Sequence, residues 1–506
     1  GGIIWSDGSG CNYGNGEIPD KPEFSFTRDV DYCSGASIML TRKLWEKLHG
    51  FDPIFSPGYY EDTDLAFRVR QSGYRVVYQP FSRVIHFEGI TSSRDLNNGM
   101  KRYQTVNRPK FVSRWKHILS SYSKPNLKPT CFENQQPKWK ILMIDYRTPM
   151  PDHDGGSADV YDYMHILSKM GVHITFLPTN YMMYFGRYSE SIQKMGIECI
   201  YLPYCISATE YIEKTGYRFD AVILYRAEIA KDYIDTVLQY APQAKVVFDT
   251  VDLTFLRMQR KAEITGSKLL LKKANEIKKY ELELMQKANK TILLSQYEKQ
   301  LIKEIDPEIS TAVVPVCKKI SEYRSEYHNR SDIVFVGFFY HHPNVDAICY
   351  FANQIWPLIE AKLPGCKLLV VGSNAPKEVR SLQCDNIIIK GHVPNLDSIF
   401  HHCRLSIAPL RYGAGIKGKV ITSLSYGVPC VSTSIGIEGT GLVHDKHLLV
   451  ADNPTDMAEA ITSIYNNKKQ WENLSTNGLA FAKENFSRNT VKKKLIKLFD
   501  NLELNL

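Results

Sequence analysis

Short apolar runs that alternate with helical patterns constrain the fold from residue 139 onward more than any other feature of the sequence. The first runs are "KILMID" (140–145), "VHITFLP" (172–178), "AVILY" (221–225), "KVVFD" (245–249) and "KTILLS" (290–295). Between them lie amphipathic segments such as "SADVYDYMHILSKMG", in which Val160, Met164 and Leu167 share one face and Gly171 supplies a C-terminal stop. Continuous apolar strands that alternate with helices indicate parallel sheets covered on both faces.

The same alternation restarts at Asp332 and continues towards the C-terminus. Its runs are "DIVFVG" (332–337), "KLLVVG" (367–372), "NIIIKG" (386–391), "LSIAPL" (405–410), "VPCVST" (428–433) and "HLLVAD" (447–452). Several runs end in glycine, which is typical of turns that face a phosphate or a nucleotide. The sequence therefore predicts an α/β chain with two doubly wound, Rossmann-like domains at residues 139–325 and 326–490, a crevice between them, and a C-terminal helix at 491–506.

The first part of the chain lacks this alternation. Residues 1–95 are rich in Gly, Asp, Asn and Pro and contain only short strand-like runs. Residues 96–138 predict a helix interrupted at Pro109, followed by a linker with three prolines between Ser123 and Lys138. Because the chain opens at Gly1 in the middle of a domain pattern, we expect further sequence upstream of it.

Composition narrows the class of protein. A chain of 506 residues with 43% hydrophobic and 23% charged residues is ordinary for two to four globular domains. The net charge of +9 suits anionic ligands or a phospholipid surface, or has no consequence, and no basic tract interleaved with aromatics indicates nucleic-acid binding. The eleven cysteines form no C-x-x-C pair, which favours reduced thiols in a cytosol over a disulfide framework or a zinc site. No run approaches the roughly 18 apolar residues of a membrane span, and no signal peptide opens the chain.

Three acids stand close together in "GYYEDTDLAF", namely Glu61, Asp62 and Asp64. With His86, which follows in "SRVIHFEG", they offer carboxylate and imidazole groups that suit a divalent ion or a general base. The same acids also suit the N-terminus of a helix, where they interact favourably with its dipole. Residue types and spacing leave both interpretations open.

The surrounding segment "VDYCSGASIMLTRKLWEKLHGFDPIFSPGYYEDTDLAFRVRQSGYRVVYQPFSRVIHFEG" resembles the C-terminal half of an inverting GT-A glycosyltransferase of the family-two, rhamnosyltransferase-like kind. The resemblance implies that Asp62 is the base that deprotonates the acceptor hydroxyl, with Glu61 as its neighbour in the motif. It implies that His86 completes the coordination of a Mg or Mn ion. It further implies a sugar pocket lined by Ser34, Gly35 and Trp5, with Asp64 orienting the helix. Such enzymes hold the nucleotide and metal through an upstream half, which this chain does not contain.

Two glycine-containing loops suit anion binding in the later domains. In "DHDGGSADVYDYM", Gly155 and Gly156 precede a helix, which indicates either an anion site or a tight turn. In "APLRYGAGIKGKVITSLSYGVPCVSTSIGIEG", the glycines at 413, 415 and 418 have no side chains and so allow close approach to the backbone. Lys417 and Lys419 precede a helix. Lysines at this place suit a diphosphate leaving group, although a solvated charged loop is the alternative.

The second loop, together with "DIVFVGFFYHHPNVDA" and "VVFDTVDLTFLRMQRKAE", resembles family-four GT-B glycosyltransferases over about residues 139–490. Such enzymes retain the anomeric configuration. The resemblance implies that the donor phosphates contact Gly337, Arg411, Lys417 and Lys419, beside the turns at Gly413 and Gly415. It implies that Asp252 lies near the reaction centre. It also implies that Gly155 and Gly156 face the phosphates or the acceptor. The position of the ribose-binding glutamate in such enzymes is taken here by Thr422. Glu438 is a candidate for a substitute hydroxyl acceptor.

Both resemblances together imply a bifunctional glycosyltransferase that builds a bacterial surface polysaccharide of the O-antigen or capsule type. Its partners would be nucleotide-sugar donors and a glycan or polyprenyl-linked acceptor. We expect a divalent metal for the intact GT-A domain and none for the GT-B domain. We also expect a cytoplasmic location with peripheral contact at the inner membrane face. The alternative is a GT-B half that only scaffolds the upstream transferase or binds glycan, and Thr422 favours it.

Overall fold

A computed structural model describes residues 1–85 and 99–504 in two compact units. The smaller unit contains residues 1–140, 171–176 and 184–206, and the larger contains 141–170, 177–183 and 207–506. His86, the predicted metal ligand, lies outside the described residues. The predicted domain boundaries at residues 95, 138, 325 and 490 stay predictions.

The elements of the chain follow one another in this order. Residues 1–138 form β1 (Gly2–Ile4), β2 (Gly10–Asn12), β3 (Arg28–Asp29), α1 (Arg42–Lys47), α2 (Glu61–Gln71), β4 (Val77–Tyr78) and α3 (Arg102–Leu119). Residues 139–325 form β5 (Trp139–Asp145), α4 (Gly155–Lys169), β6 (Val172–Pro178), α5 (Arg187–Lys194), β7 (Glu198–Cys199), α6 (Ala208–Thr215), β8 (Ala221–Tyr225), α7 (Ala227–Tyr240), β9 (Lys245–Asp249), α8 (Thr254–Thr265), α9 (Lys268–Lys287), β10 (Lys290–Leu293), α10 (Gln296–Ile305) and β11 (Thr311–Val313). Residues 326–504 form β12 (Ser331–Val336), α11 (His342–Tyr350), α12 (Trp356–Glu360), β13 (Leu368–Val371), α13 (Lys377–Arg380), β14 (Ile387–Gly391), α14 (Asp397–His402), β15 (Cys403–Ala408), α15 (Gly418–Ser425), β16 (Cys430–Ser432), α16 (Ser434–Ile437), β17 (Leu449–Val450), α17 (Pro454–Asn466), α18 (Lys468–Phe486) and α19 (Arg488–Asp500).

The larger unit contains two parallel sheets. The first has the strand order β11-β10-β9-β8-β5, with Leu142 opposite Val222 and Leu224 opposite Phe248. These side chains are fully buried, as expected for strands that are covered on both faces. We call the part of the larger unit built on this sheet the first Rossmann-like domain.

The second sheet has the order β14-β13-β12-β15-β16-β17, and each pair of neighbouring strands is parallel. Chain order reverses between β12 and β15, and such a switch point opens a crevice at the carboxyl ends of the strands. We call the part of the chain built on this sheet the second Rossmann-like domain. The prediction of an α/β chain with two Rossmann-like domains is confirmed.

Helix α19 returns from the second Rossmann-like domain to the first. The guanidinium of Arg488 contacts Asp162 of α4 at 2.6 Å, and the backbone N–H of Lys318 donates to the carbonyl of Phe486 at 2.8 Å. The two segments that cross between the domains therefore lie side by side.

The smaller unit combines short antiparallel strand pairs with helices. Strand β1 pairs with β2 and β3 with β4, and Phe67 of α2 packs against Phe111 and Trp115 of α3. The predicted interruption at Pro109 is wrong, because α3 continues through it. The buried stripe of α3 holds the helix in place, and the amide of Asn107 donates to the carbonyl of Phe55 at 2.8 Å.

Among the helices of the described residues, none is both long enough and apolar enough to cross a membrane.

Candidate functional site

The glycine-containing loop between β15 and α15 lies at the switch point of the second Rossmann-like domain. Gly415 has a φ of +66° and faces the first Rossmann-like domain. A Cβ atom at this position would lie 3.4 Å from Cβ of Asp252 and 3.3 Å from Cδ1 of Leu294. Glycine therefore suits both the backbone conformation and the close approach of the two domains.

Two lysines follow this loop in different environments. The Lys417 ammonium donates to the carbonyl of Gly415 at 2.6 Å, and burial lowers its pKa to about 8. The Lys419 ammonium donates to the side chain of Asn344 and lies 4.4 Å from the ring centroid of Phe335. Burial lowers the pKa of Lys419 to about 7. Both ammonium groups thus have their contacts within the second Rossmann-like domain.

The other predicted donor contacts have partners within the second domain. Arg411 forms an ion pair with Asp346 of α11, with Nε and Oδ2 2.9 Å apart. The hydroxyl of Thr422 donates to the carbonyl of Gly418 at 2.9 Å, so its oxygen retains only acceptor capacity. Gly337 directly follows β12, and a Cβ there would meet Asn344 at 3.1 Å.

Asp252 of the first Rossmann-like domain stands opposite the loop at Gly415. Its carboxylate accepts from Nε of Arg257 at 2.8 Å. Burial raises the pKa of the nearby Glu298 carboxyl to about 7, and the negative charge of Asp252 adds to this increase. The predicted reaction-centre residue thus lies close to Gly415, in the loop that carries Lys417.

Sequence reasoning missed the residue that joins the two domains at this point. Arg260 of α8 donates from Nη1 to the carbonyl of Gly413 at 2.6 Å and to Oε2 of Glu438 at 2.7 Å. Its Nη2 donates to Oε1 of Glu438 at 2.8 Å and to the hydroxyl of Tyr297 at 3.2 Å. Glu438, predicted as a hydroxyl acceptor, is thus held by a guanidinium from the facing domain.

Sequence reasoning also missed a group of buried charges at the carboxyl ends of the first sheet. Asp145 ends β5, Asp249 ends β9, and Arg226 follows β8. Nε of Arg226 contacts Oδ1 of Asp145 at 2.9 Å, and burial raises the pKa of Asp249 to about 7. The signal was present in the sequence, because each residue stands at the end of a predicted parallel strand, where sites concentrate.

The predicted anion site at Gly155 and Gly156 is the N-terminus of α4. Here the Asp154 carboxylate accepts from the backbone N–H of Ser157 at 2.8 Å. The helix is therefore capped by its own chain. Gly156 is packed, since a Cβ there would lie 3.2 Å from both Arg226 and Val251.

A cluster of Asp152, His153 and His392 lies beside this helix, with one ligand-type atom of each within 4.8 Å of the others. The two imidazole rings are stacked, with centroids 4.4 Å apart and planes inclined by 20°. The nitrogen lone pairs lie in the ring planes, so in this stack they lie in two separate, nearly parallel planes.

In the smaller unit, the three acids of "YYEDTDL" take different places. Oδ2 of Asp62 accepts from the backbone N–H of Gly35 at 2.8 Å, next to Ser34. Burial raises the pKa of Glu61, whose Oε2 is buried without a hydrogen-bond partner. Asp64 is fully buried between Arg68 and Arg114, at 2.7 and 3.0 Å. Trp5 is buried as well.

The chain is similar to known glycosyltransferases. A sequence profile of the family described as "Glycosyl transferases group 1" matches residues 330–467. The chain is 23% identical over 396 residues to an "Uncharacterized 44.6 kDa protein in cps region" of Klebsiella pneumoniae, covering 71% of this chain and 99% of that protein. Residues 330–467 are thus matched as a group 1 glycosyltransferase region, and the prediction of a glycosyltransferase is confirmed.

Two solved structures support the same architecture. Sucrose-phosphate synthase from Thermosynechococcus elongatus superposes with a TM-score of 0.55 at 14% identity, covering 72% of this chain and 99% of that one. Anabaena HepE in complex with UDP and glucose superposes with a TM-score of 0.54 at 13% identity, with the same two coverages. The fold is therefore that of GT-B glycosyltransferases, whereas the predicted GT-A segment stays a prediction.

Proposed function

We propose that the larger unit transfers a sugar from a nucleoside diphosphate sugar to a glycan or polyprenyl-linked acceptor. The loop from Gly413 to Lys417 carries this proposal. It lies at the switch point of the second Rossmann-like domain, and it places an ammonium group opposite Asp252. A diphosphate leaving group gains negative charge as the sugar departs, and a cation fixed at this position stabilises that charge.

The relatives favour this donor class and a role in surface polysaccharide synthesis. Anabaena HepE forms a complex with UDP-glucose, and its fold superposes on this chain with a TM-score of 0.52. The Klebsiella relative is described by its place in a cps region. Peripheral contact with the inner membrane face would bring the enzyme to a polyprenyl-linked acceptor.

A panel of nucleotide sugars tests the proposal. Isothermal titration should detect binding of at least one donor, and release of its nucleoside diphosphate should be measurable with or without acceptor. Lys417→Ala should weaken donor binding, whereas Lys287→Ala should not, because Lys287 forms an exposed ion pair with Asp235. If no donor binds and none is turned over, the proposal is wrong.

A second candidate function is a non-catalytic scaffold or glycan-binding module. Thr422 favours it, because its hydroxyl is engaged with the carbonyl of Gly418 and holds a ribose less firmly than a carboxylate. A Thr422→Glu variant distinguishes the two. A gain in donor affinity supports the transferase, and no gain together with retained glycan binding supports the scaffold.

We further propose that residues 1–95 belong to a GT-A transferase in which Asp62 is the base. The buried, unpaired oxygen of Glu61 suits a cation or an acceptor hydroxyl near Asp62. In the intact domain, Glu61 and Asp62 would face the Mg or Mn ion that this family uses to hold the donor diphosphate. Normal transfer by Asp62→Asn, made in a protein that includes the upstream half, would disprove the base assignment.

A further inference from the structure

Arg260 is placed to do more than join the two Rossmann-like domains. It extends from α8 across the crevice, and its side chain is only 13% exposed. One guanidinium nitrogen bonds the carbonyl of Gly413, in the loop that carries Lys417. The same nitrogen and its neighbour bond both oxygens of Glu438, at 2.7 and 2.8 Å.

This geometry is also the geometry in which guanidinium groups recognise phosphate. A carboxylate and a phosphate each offer two oxygens to the parallel N–H groups of arginine, and both pairings are charge-assisted. The Glu438 carboxylate therefore occupies the pair of guanidinium N–H groups that two phosphate oxygens would use. A donor diphosphate drawn to Lys417 would meet Arg260 on the adjacent turn, because both cations contact the stretch from Gly413 to Gly415.

We propose that Arg260 binds a phosphate of the nucleotide-sugar donor, and that Glu438 occupies its guanidinium until the donor arrives. The inference rests on the proposed function for its donor, and it adds a phosphate-binding residue from the first Rossmann-like domain. No covalent bond changes: the Glu438 carboxylate leaves the guanidinium, and a phosphate replaces it.

The exchange is feasible because both charged groups keep polar partners after they separate. Arg260 keeps its contacts with the carbonyl of Gly413 and the hydroxyl of Tyr297. The Glu438 side chain is 20% exposed, so water can solvate the carboxylate once it is released. The ion pair makes the binding-competent state a minor one, which weakens the apparent affinity by the fraction of free Arg260.

The competition predicts opposite effects for the two members of one ion pair. Removal of Arg260 takes away a phosphate ligand and should weaken anion binding. Removal of the Glu438 charge frees Arg260 and should strengthen anion binding, on the order of tenfold if the pair is closed nine times in ten. A pair that only holds the two domains together would give weakening in both cases.

The experiment titrates UDP, and separately inorganic pyrophosphate, into the full chain by calorimetry. The variants are Arg260→Met, Arg260→Lys, Glu438→Gln and the double variant Arg260→Met/Glu438→Gln. Lys287→Met is the matched control, since it breaks an exposed ion pair with Asp235. Circular dichroism melting of each variant reports whether it folds. Arg260→Lys keeps the charge without the paired N–H groups and provides a milder second variant.

We expect Arg260→Met to bind both probes at least about tenfold more weakly, and Glu438→Gln to bind them more tightly than the wild type. In the Arg260→Met background, Glu438→Gln should give no gain, because the effect of Glu438 acts through Arg260. Arg260→Lys should fall between wild type and Arg260→Met.

Three results obtained with the variants would overturn the inference. Weaker binding by Glu438→Gln shows a structural link, and a gain that persists without Arg260 shows a general charge effect. Unchanged affinity in folded Arg260→Met shows that Arg260 does not touch the anion. Arg260-dependent binding of pyrophosphate without binding of UDP would keep the phosphate site and refute the nucleotide donor. Binding of neither probe by the wild type refutes both proposals.

Discussion

At the scale of single residues, the diphosphate contact proposed for Lys417 requires its side chain to be charged. Burial lowers the pKa of Lys417 to about 8, so its ammonium form dominates below that pH and is lost above it. We predict that UDP affinity falls as the pH rises above about 8, approaching tenfold per unit if the ammonium form is required. Titration calorimetry at a series of pH values from 6.5 to 9.5, roughly bracketing this pKa, measures the effect.

The control for this prediction is Lys417→Arg, which stays charged throughout that range. Its affinity should be flat where that of the wild type falls. A parallel decline in both proteins would assign the pH dependence to other groups.

Glu281 is a second residue whose burial has a measurable consequence. It lies on α9, is fully buried, and accepts from the backbone N–H groups of Thr254 and Phe255 at 3.1 and 2.9 Å. Burial raises its pKa to about 7, so between the unfolded value near 4.5 and 7 the folded state binds more protons. The free energy of unfolding therefore decreases as the pH rises through this range, by up to about 3 kcal/mol from this group.

Urea unfolding of wild type and Glu281→Gln between pH 5 and 7 tests that prediction. The variant should show a smaller decrease in the free energy of unfolding over this interval. Glu276→Gln, at an exposed position of the same helix, should behave like the wild type. Identical pH profiles for wild type and Glu281→Gln would contradict the assignment.

At the scale of elements, the carboxyl end of β12, which borders the switch point, closely approaches that of its other neighbour, β13. A Cβ atom at Gly372, after β13, would lie 1.7 Å from the carbonyl oxygen of Gly337, after β12. We predict that Gly372→Ala separates these strand ends, lowers the free energy of unfolding by about 3 kcal/mol and abolishes UDP binding. Gly155→Ala is the control, because nothing lies within 4 Å of a Cβ there. If the Gly372→Ala protein had wild-type stability and affinity, the prediction would be wrong, because the backbone would accommodate the methyl group at little cost.

The positions of these elements could largely be predicted from the sequence. Buried parallel strands read as unbroken apolar runs, and the run predicted at 221–225 is observed as Ala221–Tyr225. The course of α3 through Pro109 could not be predicted, because local propensity is outweighed there by packing of the helix against distant segments. Acids at strand ends, such as Asp249, could also have been predicted as site residues, because sites concentrate at the carboxyl ends of parallel strands.

The candidate site was predictable only in part, for a related physical reason. The loop from Gly413 to Lys417 could be found because glycines and lysines cluster within one short stretch. Arg260 and Glu438 are 178 residues apart, and no local pattern connects them. Their pairing depends on how the two Rossmann-like domains meet, which periodicity does not encode.

At the scale of the whole molecule, the two compact units should respond to different perturbations. Asp64 belongs to the smaller unit, where it is fully buried and paired with Arg68 and Arg114. Replacing it with asparagine gives Arg68 a neutral partner, whereas Arg114 keeps its ion pair with Asp52 at 2.8 Å, and we expect a loss of about 3 kcal/mol of stability. A nucleoside diphosphate that binds the larger unit, as proposed above, would instead stabilise that unit by about 2.7 kcal/mol at a hundredfold excess over Kd.

Differential scanning calorimetry can therefore separate the two units. We predict two transitions, of which UDP raises only the one that belongs to the larger unit, and Asp64→Asn lowers only the other. The Asp64→Asn protein should bind UDP with wild-type affinity, because the crevice of the larger unit contains its own ligands. A single transition that both perturbations shift would show that the units unfold together, and loss of UDP binding in Asp64→Asn would show that the donor site depends on the smaller unit.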